Sequence, residues 1–215
     1  MTGPGSPALI EVLGRARSLG LLGPGEVARH IEHAQGFAGA LAEMAGDPEA
    51  SPASFLDLGS GAGVPGLVLA LAWPEATAVL LEAGSRRSHF LTGALTTLEL
   101  DGRVTVCHAR AEFAGRDAGL RGRFDLVTAR SFGAPAVTAE CGAPFLGPGG
   151  VLVISEPPDT DQLDERWPAP GLAQLALAPA VPLGDRFHYV ATRADSACPE
   201  RYPRRDGVPA KSPLF

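Results

Sequence analysis

The sequence predicts an α/β fold: a mostly parallel sheet with helices on both faces. Three observations carry the prediction. Five short apolar runs, Ser54–Leu58, Ala76–Leu81, Val104–Cys107, Phe124–Ala129 and Val151–Ser155, alternate with helical stretches near 65–72, 86–99 and 134–145. The runs are apolar almost throughout rather than at every second position, as strands covered on both faces are. The first run carries an acid, Asp57, one residue before its end and enters a glycine-rich turn, "DLGSGAGVPG", from which a helix starts.

Before this alternation, "ALIEVLGRARSLGLL" and "GPGEVARHIEHAQGFAGALAEMAG" have helical periodicity, the second opened by Pro24 and Gly25, and the Pro/Ser/Asp-rich stretch Gly46–Pro52 reads as a linker. After it, Val181–Arg193 reads as a closing strand pair, because "FHYVATR" alternates. The last segment, "CPERYPRRDGVPAKSPLF", is rich in Pro and Arg and is expected to be an extended arm. Three parts are therefore expected: an N-terminal helical extension over 1–52, a main domain over 53–195, and a basic C-terminal arm over 196–215.

Composition excludes several classes. A net charge of −6 argues against a general nucleic-acid binder, which needs a cationic surface. Lys211 is the one lysine beside 17 arginines, so any chemistry that requires a lysine has a single candidate. Cys107, Cys141 and Cys198 are far apart with no CxxC, which excludes a disulfide framework or a zinc ribbon and fits a reducing, cytoplasmic setting. The five histidines have no metal spacing as a group; His30 and His33 share a helix face without a third ligand, so no metal is expected. "MTGPGSPALIEVLG" lacks a basic stretch followed by a long apolar core, and the apolar run Val64–Trp73 is too short to span a bilayer, so neither a secretion signal nor a membrane anchor is expected.

The glycine turn is the chemical centre of the sequence. Glycines let the backbone turn sharply and approach a ligand, and helix amides beyond the turn can face an anion or a carboxylate. Glu82, at the end of the second strand, can accept ribose hydroxyls. Gly61, Gly63 and Gly66 also satisfy GxGxxG, which leaves NAD or FAD formally open. Two features favour S-adenosylmethionine. Asp57, just before the glycines, would repel a pyrophosphate but suits a sulfonium and an amino group, and Ala111–Glu112 follow the third strand where an adenine would lie.

"DLGSGAGVPGLVLAL", "SRRSHFL", "ARAE", "FDLVTARSF" and "FLGPGGVLVIS" resemble, in order, the RsmG (GidB) methyltransferase family. "GLLGPGEVARHIEHA" is similar to the start of that family's N-terminal helix, and "RYPRRDGVPAKSPL" to its C-terminal arm. The likeness runs from about Gly20 to Leu214. The glycine motif is generic; Pro65–Gly66, "RAE" and the arm are the specific parts. The resemblance implies a class I S-adenosylmethionine-dependent methyltransferase with a Rossmann-like, seven-stranded, mostly parallel sheet, one strand antiparallel, and extra N-terminal helices. It implies transfer of a methyl group to guanine N7 in small-subunit ribosomal RNA, with that RNA or the small subunit as partner. Carried over by position, Asp57, Gly59, Ser60, Gly61, Gly63 and Pro65 belong to the cofactor turn. Glu82 and Ala83 take the ribose, and Ala111 and Glu112 flank the adenine. Arg130, in "TARSF", stands near the methyl group and the incoming base, as the catalytic candidate and a cofactor contact.

Two departures are visible. Where the family has a lysine–glycine pair after the fifth strand, this chain has Ser155–Glu156–Pro157–Pro158, an anion in place of a cation. The family's His-x-x-Asp/Asn-Ser/Cys becomes His30–Ile31–Glu32–His33–Ala34. The first change motivates an alternative, a paralogue acting on another RNA or a small molecule. Arg86, Arg87, Arg201, Arg204, Arg205 and Lys211 are candidates for phosphate contact or for ordinary solvated surface. Phe132 is a candidate for base stacking or for burial on the sheet. Trp73 is expected to close its helix and pack in the core.

Overall fold

A computed structural model describes residues 3–157 and 162–215; Met1, Thr2 and Pro158, the last residue of the Ser155–Pro158 stretch, lie outside the described residues. In chain order the elements are helices α1 (Pro7–Ser18) and α2 (Val27–Ala45), β1 (Ser54–Leu58), α3 (Gly66–Ala72), β2 (Thr77–Glu82), α4 (Ser85–Thr97), β3 (Val104–His108), α5 (Ala111–Ala114), β4 (Phe124–Ala129) and α6 (Pro135–Gly142). There follow β5 (Leu146–Glu156), α7 (Leu163–Arg166), α8 (Ala169–Ala173), β6 (Val181–Leu183), β7 (His188–Arg193) and α9 (Val208–Lys211). The expected strands are all present. β5 begins at Leu146 rather than Val151: Leu146 pairs with Phe124, and the ladder shifts register over 147–150 before Val151 pairs with Leu126.

Among the described residues the strands form one seven-stranded sheet in the order β3-β2-β1-β4-β5-β7-β6. β1 pairs in parallel with both β2 and β4, and β4 in parallel with β5. β7 runs against both β5 and β6, which makes it the one reversed strand. The resemblance implied this arrangement. The chain leaves β1 towards one side and later returns to β4 on the other, which opens a crevice at the carboxyl ends of β1 and β4.

Each strand feeds two cores. Phe55, Ala78, Leu80, Leu126 and Val153 face one side, against α1–α4. Leu56, Leu58, Leu81, Val127 and Ile154 face the other, against α6 and the C-terminal segment. The N-terminal helices are therefore part of the core: Leu9, Leu13, Ala34 and Phe37 are fully buried. Trp73 ends α3 and packs edge-on against Phe55, with ring centroids 5.6 Å apart, as expected.

The C-terminal segment is docked rather than extended. Arg121 donates to the carbonyls of Cys198, Pro199 and Tyr202, and Arg116 to that of Pro203. Glu140, which has no exposed surface, accepts from the backbone N–H and the guanidinium of Arg204. Of the four arm cations, Arg204 is thus committed internally and Arg201 lies over the ring of Tyr202, while Arg205 and Lys211 face solvent. Arg86 donates to the Leu19 carbonyl and so ties α4 to the N-terminal helices.

Candidate active site

The glycine turn is built by its neighbours. The N–H groups of Gly59 and Ser60 both donate to the Leu81 carbonyl, which ties the turn to the end of β2. Ser60 Oγ donates to the Asp57 carbonyl at 3.0 Å. Gly59 has φ +71°, and a Cβ there would sit 2.7 Å from the Phe132 ring, so this position takes glycine both for its dihedral and for its space. Gly66 starts α3 directly over Asp57: a Cβ would meet the carboxylate oxygen at 2.6 Å. That accounts for the glycine of the Pro65–Gly66 pair.

Asp57 is turned inward. Its Oδ2 accepts the Gly66 N–H at 3.0 Å and its Oδ1 the Thr128 hydroxyl at 3.0 Å. Burial pushes its carboxyl up to about 6, against these hydrogen bonds, which favour the anion. The structure therefore gives Asp57 to the turn and to β4, beneath the ligand-facing surface.

Glu82 is the hinge of the site. Oε2 accepts the Gly61 N–H at 2.9 Å and Oε1 the Gly84 N–H at 2.7 Å, with Arg87 Nη1 3.8 Å from Oε1. A carboxylate has about four acceptor positions, so two remain for hydroxyl donors. Glu112 Oε1 accepts from Arg110 Nη2 at 3.2 Å and from the Gly207 N–H at 3.1 Å, while Arg110 Nε donates to Asp206. The sequence named Glu112 but gave no sign that Arg110, Asp206 and Gly207 close around it, because the arm lies about a hundred positions away.

A cavity of about 480 Å3 lies over these residues, at the carboxyl ends of β1 and β2. Gly59, Glu82, Ala83, Ala111, Glu112 and Phe132 line it, and the arm contributes Ala210 and Pro213. Asp57, Ser60, Gly61, Gly63 and Pro65 shape the turn beneath without lining it. Phe132 both covers Gly59 and faces the cavity. Arg130 lies elsewhere. It lines a second cavity of about 320 Å3 with Arg29, His30, His33, Glu156 and Arg186. Ser131 and Phe132, the next two residues, line the first cavity, so consecutive residues of this segment serve the two hollows, which share no lining residue. A larger recess of about 610 Å3, near Trp73 and Glu75, lies at the amino ends of β1 and β2 and includes no residue of the turn.

Glu156 is a matched anion. Arg166 donates to Oε2 through Nε at 2.9 Å, with Nη2 in ion-pair contact at 2.8 Å, and the Trp167 indole N–H donates to Oε1 at 3.2 Å. The cation-to-anion change seen in the sequence is thus offset by α7; of the arginines lining the second cavity, Arg186 pairs with Glu32 at 3.0 Å, and Arg29 and Arg130 have no carboxylate partner among the described residues. Among the described residues no group of three or more His, Cys, Asp or Glu could hold a metal.

The family model for rRNA small subunit methyltransferase G (GidB) matches residues 16–165. The chain belongs to this family. RsmG relatives share long aligned stretches with it. The ribosomal RNA small subunit methyltransferase G of Lactococcus lactis subsp. lactis is 35% identical over 170 residues, 76% of this chain and 70% of that protein. The protein of the same name from Prochlorococcus marinus is 37% identical over 175 residues, 76% of this chain and 68% of its own. Solved structures agree on the fold. An O-methyltransferase from Bacillus cereus in complex with SAH superposes with TM-score 0.61 at 15% identity, covering 89% of this chain and 92% of that one. TomG from Streptomyces achromogenes, in complex with SAM, gives 0.59 at 14% identity, covering 88% and 90%. The RsmG resemblance read from the motifs is therefore borne out at the level of family and fold.

His33 gives this RsmG-family chain a testable acid response. Its Nδ1 is buried without a partner, and its ring packs edge-on against Phe37 and Phe187. Burial first, then the Arg130 charge, lower its pKa to about 4 from a model-compound value of 6.5. The folded chain thus binds this proton less readily than the unfolded chain, and stability is lost as pH falls from about 6.5 to about 4. Asp57 works the other way: its carboxyl is raised, so its contribution is lost as pH rises from about 4 to about 6. A His33→Phe chain should therefore gain on the wild type by about 1 kcal/mol between pH 7 and pH 4.5, since His33 is only partly buried and its shift is screened by solvent. Urea unfolding at the two pH values measures this; a gap between the chains that does not change with pH would show that His33 is not held neutral.

Proposed function

We propose that the protein transfers a methyl group from S-adenosylmethionine to N7 of a guanine in small-subunit ribosomal RNA. The observation that carries this reading is a pair of cavities lined by consecutive residues, Arg130 on one and Ser131–Phe132 on the other. One is acidic at Glu82 and Glu112 and sized for a nucleoside; the other is cationic and opens beside it at Arg130. The first cavity lies within the usual volume range of small-ligand sites. Its donor set fits the cofactor: Glu82 keeps two acceptor positions for ribose hydroxyls, Glu112 and Ala111 stand by the adenine, and the Gly59 turn admits a backbone approach. Ala83 belongs to the same ribose wall. Membership of the RsmG family supports the substrate.

The cofactor, when bound, supplies an electrophilic methyl carbon on a sulfonium. The chain has to hold the base in line with that carbon, and positioning of this kind accounts for a large part of such a rate. Guanine N7 carries a lone pair and no proton, so no residue has to act as a base. Asp57 agrees with this, because both its oxygens are held under the turn. Phe132 lines the first cavity beside Gly59 and offers a face to the base. Arg130 lies across the second cavity, where it meets the substrate as the residue of the site closest to the chemistry. The alternative of another RNA or a small molecule drew on the Glu156 anion, and the Arg166 partner removes that motive. In this reading residues 1–52 build one wall of the substrate cavity, 53–195 the sheet, and 196–215 a wall of the cofactor cavity. The small ribosomal subunit is the partner, and the setting is cytoplasmic. Among the described residues no helix is long and apolar enough to cross a membrane.

The test is transfer of labelled methyl from S-adenosylmethionine to small subunits from a strain lacking the modification, with the base mapped afterwards. Label at one guanine N7 is the expected result; label absent from small-subunit RNA would overturn the proposal.

A further inference from the structure

Arg130 is held by a histidine. Its Nη2 lies 2.7 Å from Nδ1 of His30. A guanidinium has donors only, so Nδ1 must accept and the imidazole proton must sit on Nε2. Nε2 in turn lies 3.2 Å from the Gly23 carbonyl and donates to it. These two contacts settle both the charge and the tautomer of His30: neutral, with N–H at Nε2. Among the described residues no carboxylate forms an ion pair with Arg130. The orientation of its guanidinium therefore depends on an uncharged acceptor from α2, a hundred positions earlier in the chain.

We propose that His30 is a positioning residue of the reaction: as the neutral Nε2–H tautomer it sets the direction of the Arg130 guanidinium at the wall of the substrate cavity. This rests on the reading that the second cavity receives the guanine. The chemistry gives the restraint a purpose. An unrestrained arginine meets guanine through O6 and N7 together, and that pairing would engage the very lone pair that must attack the methyl carbon. His30 takes one face of the guanidinium fork, which turns Arg130 from a bidentate guanine binder into a donor that can serve O6 and leave N7 free.

Protonation of His30 would place an N–H against the guanidinium and release it. The surroundings make that release one-sided. Arg17 reaches His30 from α1, Arg29 and His33 share α2, and Arg130 faces it from the end of β4. Across the cavity, Arg186 and His188 stand by β7, Tyr189 lies behind, and Glu156 of β5 is already matched by Arg166. Glu26 and Glu32, the acids of α2 and its start, are paired with Arg17 and Arg186, so among the described residues no unmatched anion beside His30 favours its charged form. Burial and the Arg130 charge hold its pKa below the usual histidine value.

The experiment compares wild type, His30→Ala and His30→Asn in methyl transfer to small subunits, with S-adenosylhomocysteine affinity measured by calorimetry. Asn Oδ1 occupies the place of Nδ1 and accepts without titrating. His30→Ala should lower kcat by about 10- to 100-fold, with cofactor affinity within about 2-fold of wild type, and His30→Asn should recover most of the rate. The wild type should lose kcat on an acid limb below pH 6.5, and the Asn chain should lack that limb. Nitrogen-15 spectra of the imidazole should show the Nε2–H tautomer at neutral pH whatever the activity. An Asn chain that is folded, binds cofactor and is as slow as the Ala chain would overturn the proposal, as would an acid limb shared by both, or the Nδ1–H tautomer. A wild type that binds S-adenosylhomocysteine but labels no small subunit would instead overturn the assigned substrate, and the spectra would still decide the pairing. If the Ala chain does not fold, the Asn chain and the spectra decide alone.

Discussion

Glu140→Ala should destabilise the protein by about 3–5 kcal/mol, the usual consequence of removing one partner of a buried ion pair. Glu140 sits on α6 with no exposed surface, and its carboxylate meets Arg204 through three bonds, at 2.8, 2.8 and 2.6 Å. One of the three comes from the backbone N–H of Arg204, so the pair fixes the path of the main chain as well as a side chain. Alanine would leave a half-buried guanidinium and an amide without acceptors. The expected readouts are a lower urea midpoint and new trypsin cleavage at Arg204 and Arg205. S-adenosylhomocysteine should also bind more weakly, since Ala210 and Pro213 wall the first cavity. A Glu140→Ala chain with an unchanged midpoint and an uncut arm would show that the remaining contacts, chiefly those of Arg121, dock the segment unaided.

Glu82→Ala should weaken S-adenosylhomocysteine binding by about 1–3 kcal/mol, the range for a buried acceptor lost, or roughly 5- to 150-fold. Two effects combine. Hydroxyl donors of the ligand lose their partner, and the N–H groups of Gly61 and Gly84 lose theirs, so the turn loosens. Glu82→Gln should weaken both as well, because its amide keeps one acceptor oxygen but sets an NH2 against the other backbone N–H. Affinity unchanged in both chains, measured by calorimetry, would remove Glu82 from the ribose.

The sheet was legible because its strands are short apolar runs between turn residues, and burial on both faces writes that signal locally. The turn was legible for the same reason, since Asp57, its glycines and Glu82 lie within one supersecondary unit. What could not be read is what sequence distance hides. Helices α5, α7, α8 and α9 are four or five residues long, too short to show a period. The pairing of Glu140 with Arg204 joins a residue that looks like helix surface to one that looks like an RNA contact. The Glu156 anion looked like an obstacle to RNA until Arg166 was placed beside it. The resemblance puts Arg130 near the methyl group and the incoming base, but that its guanidinium faces α2 depends on how the N-terminal helices pack and leaves no mark around "TARSF".

The same long reach sets a timescale. His30 meets Arg130 across 100 positions, Arg110 meets Asp206 across 96, and Tyr189 meets the His33 carbonyl across 156. Contacts of such separation form slowly, because much of the chain must be ordered before they are rewarded. During refolding the parallel strands and their local turns can assemble while both hollows are still open, so recovery of secondary structure should run ahead of recovery of ligand affinity. A nascent molecule would spend an interval looking native by circular dichroism while remaining chemically silent.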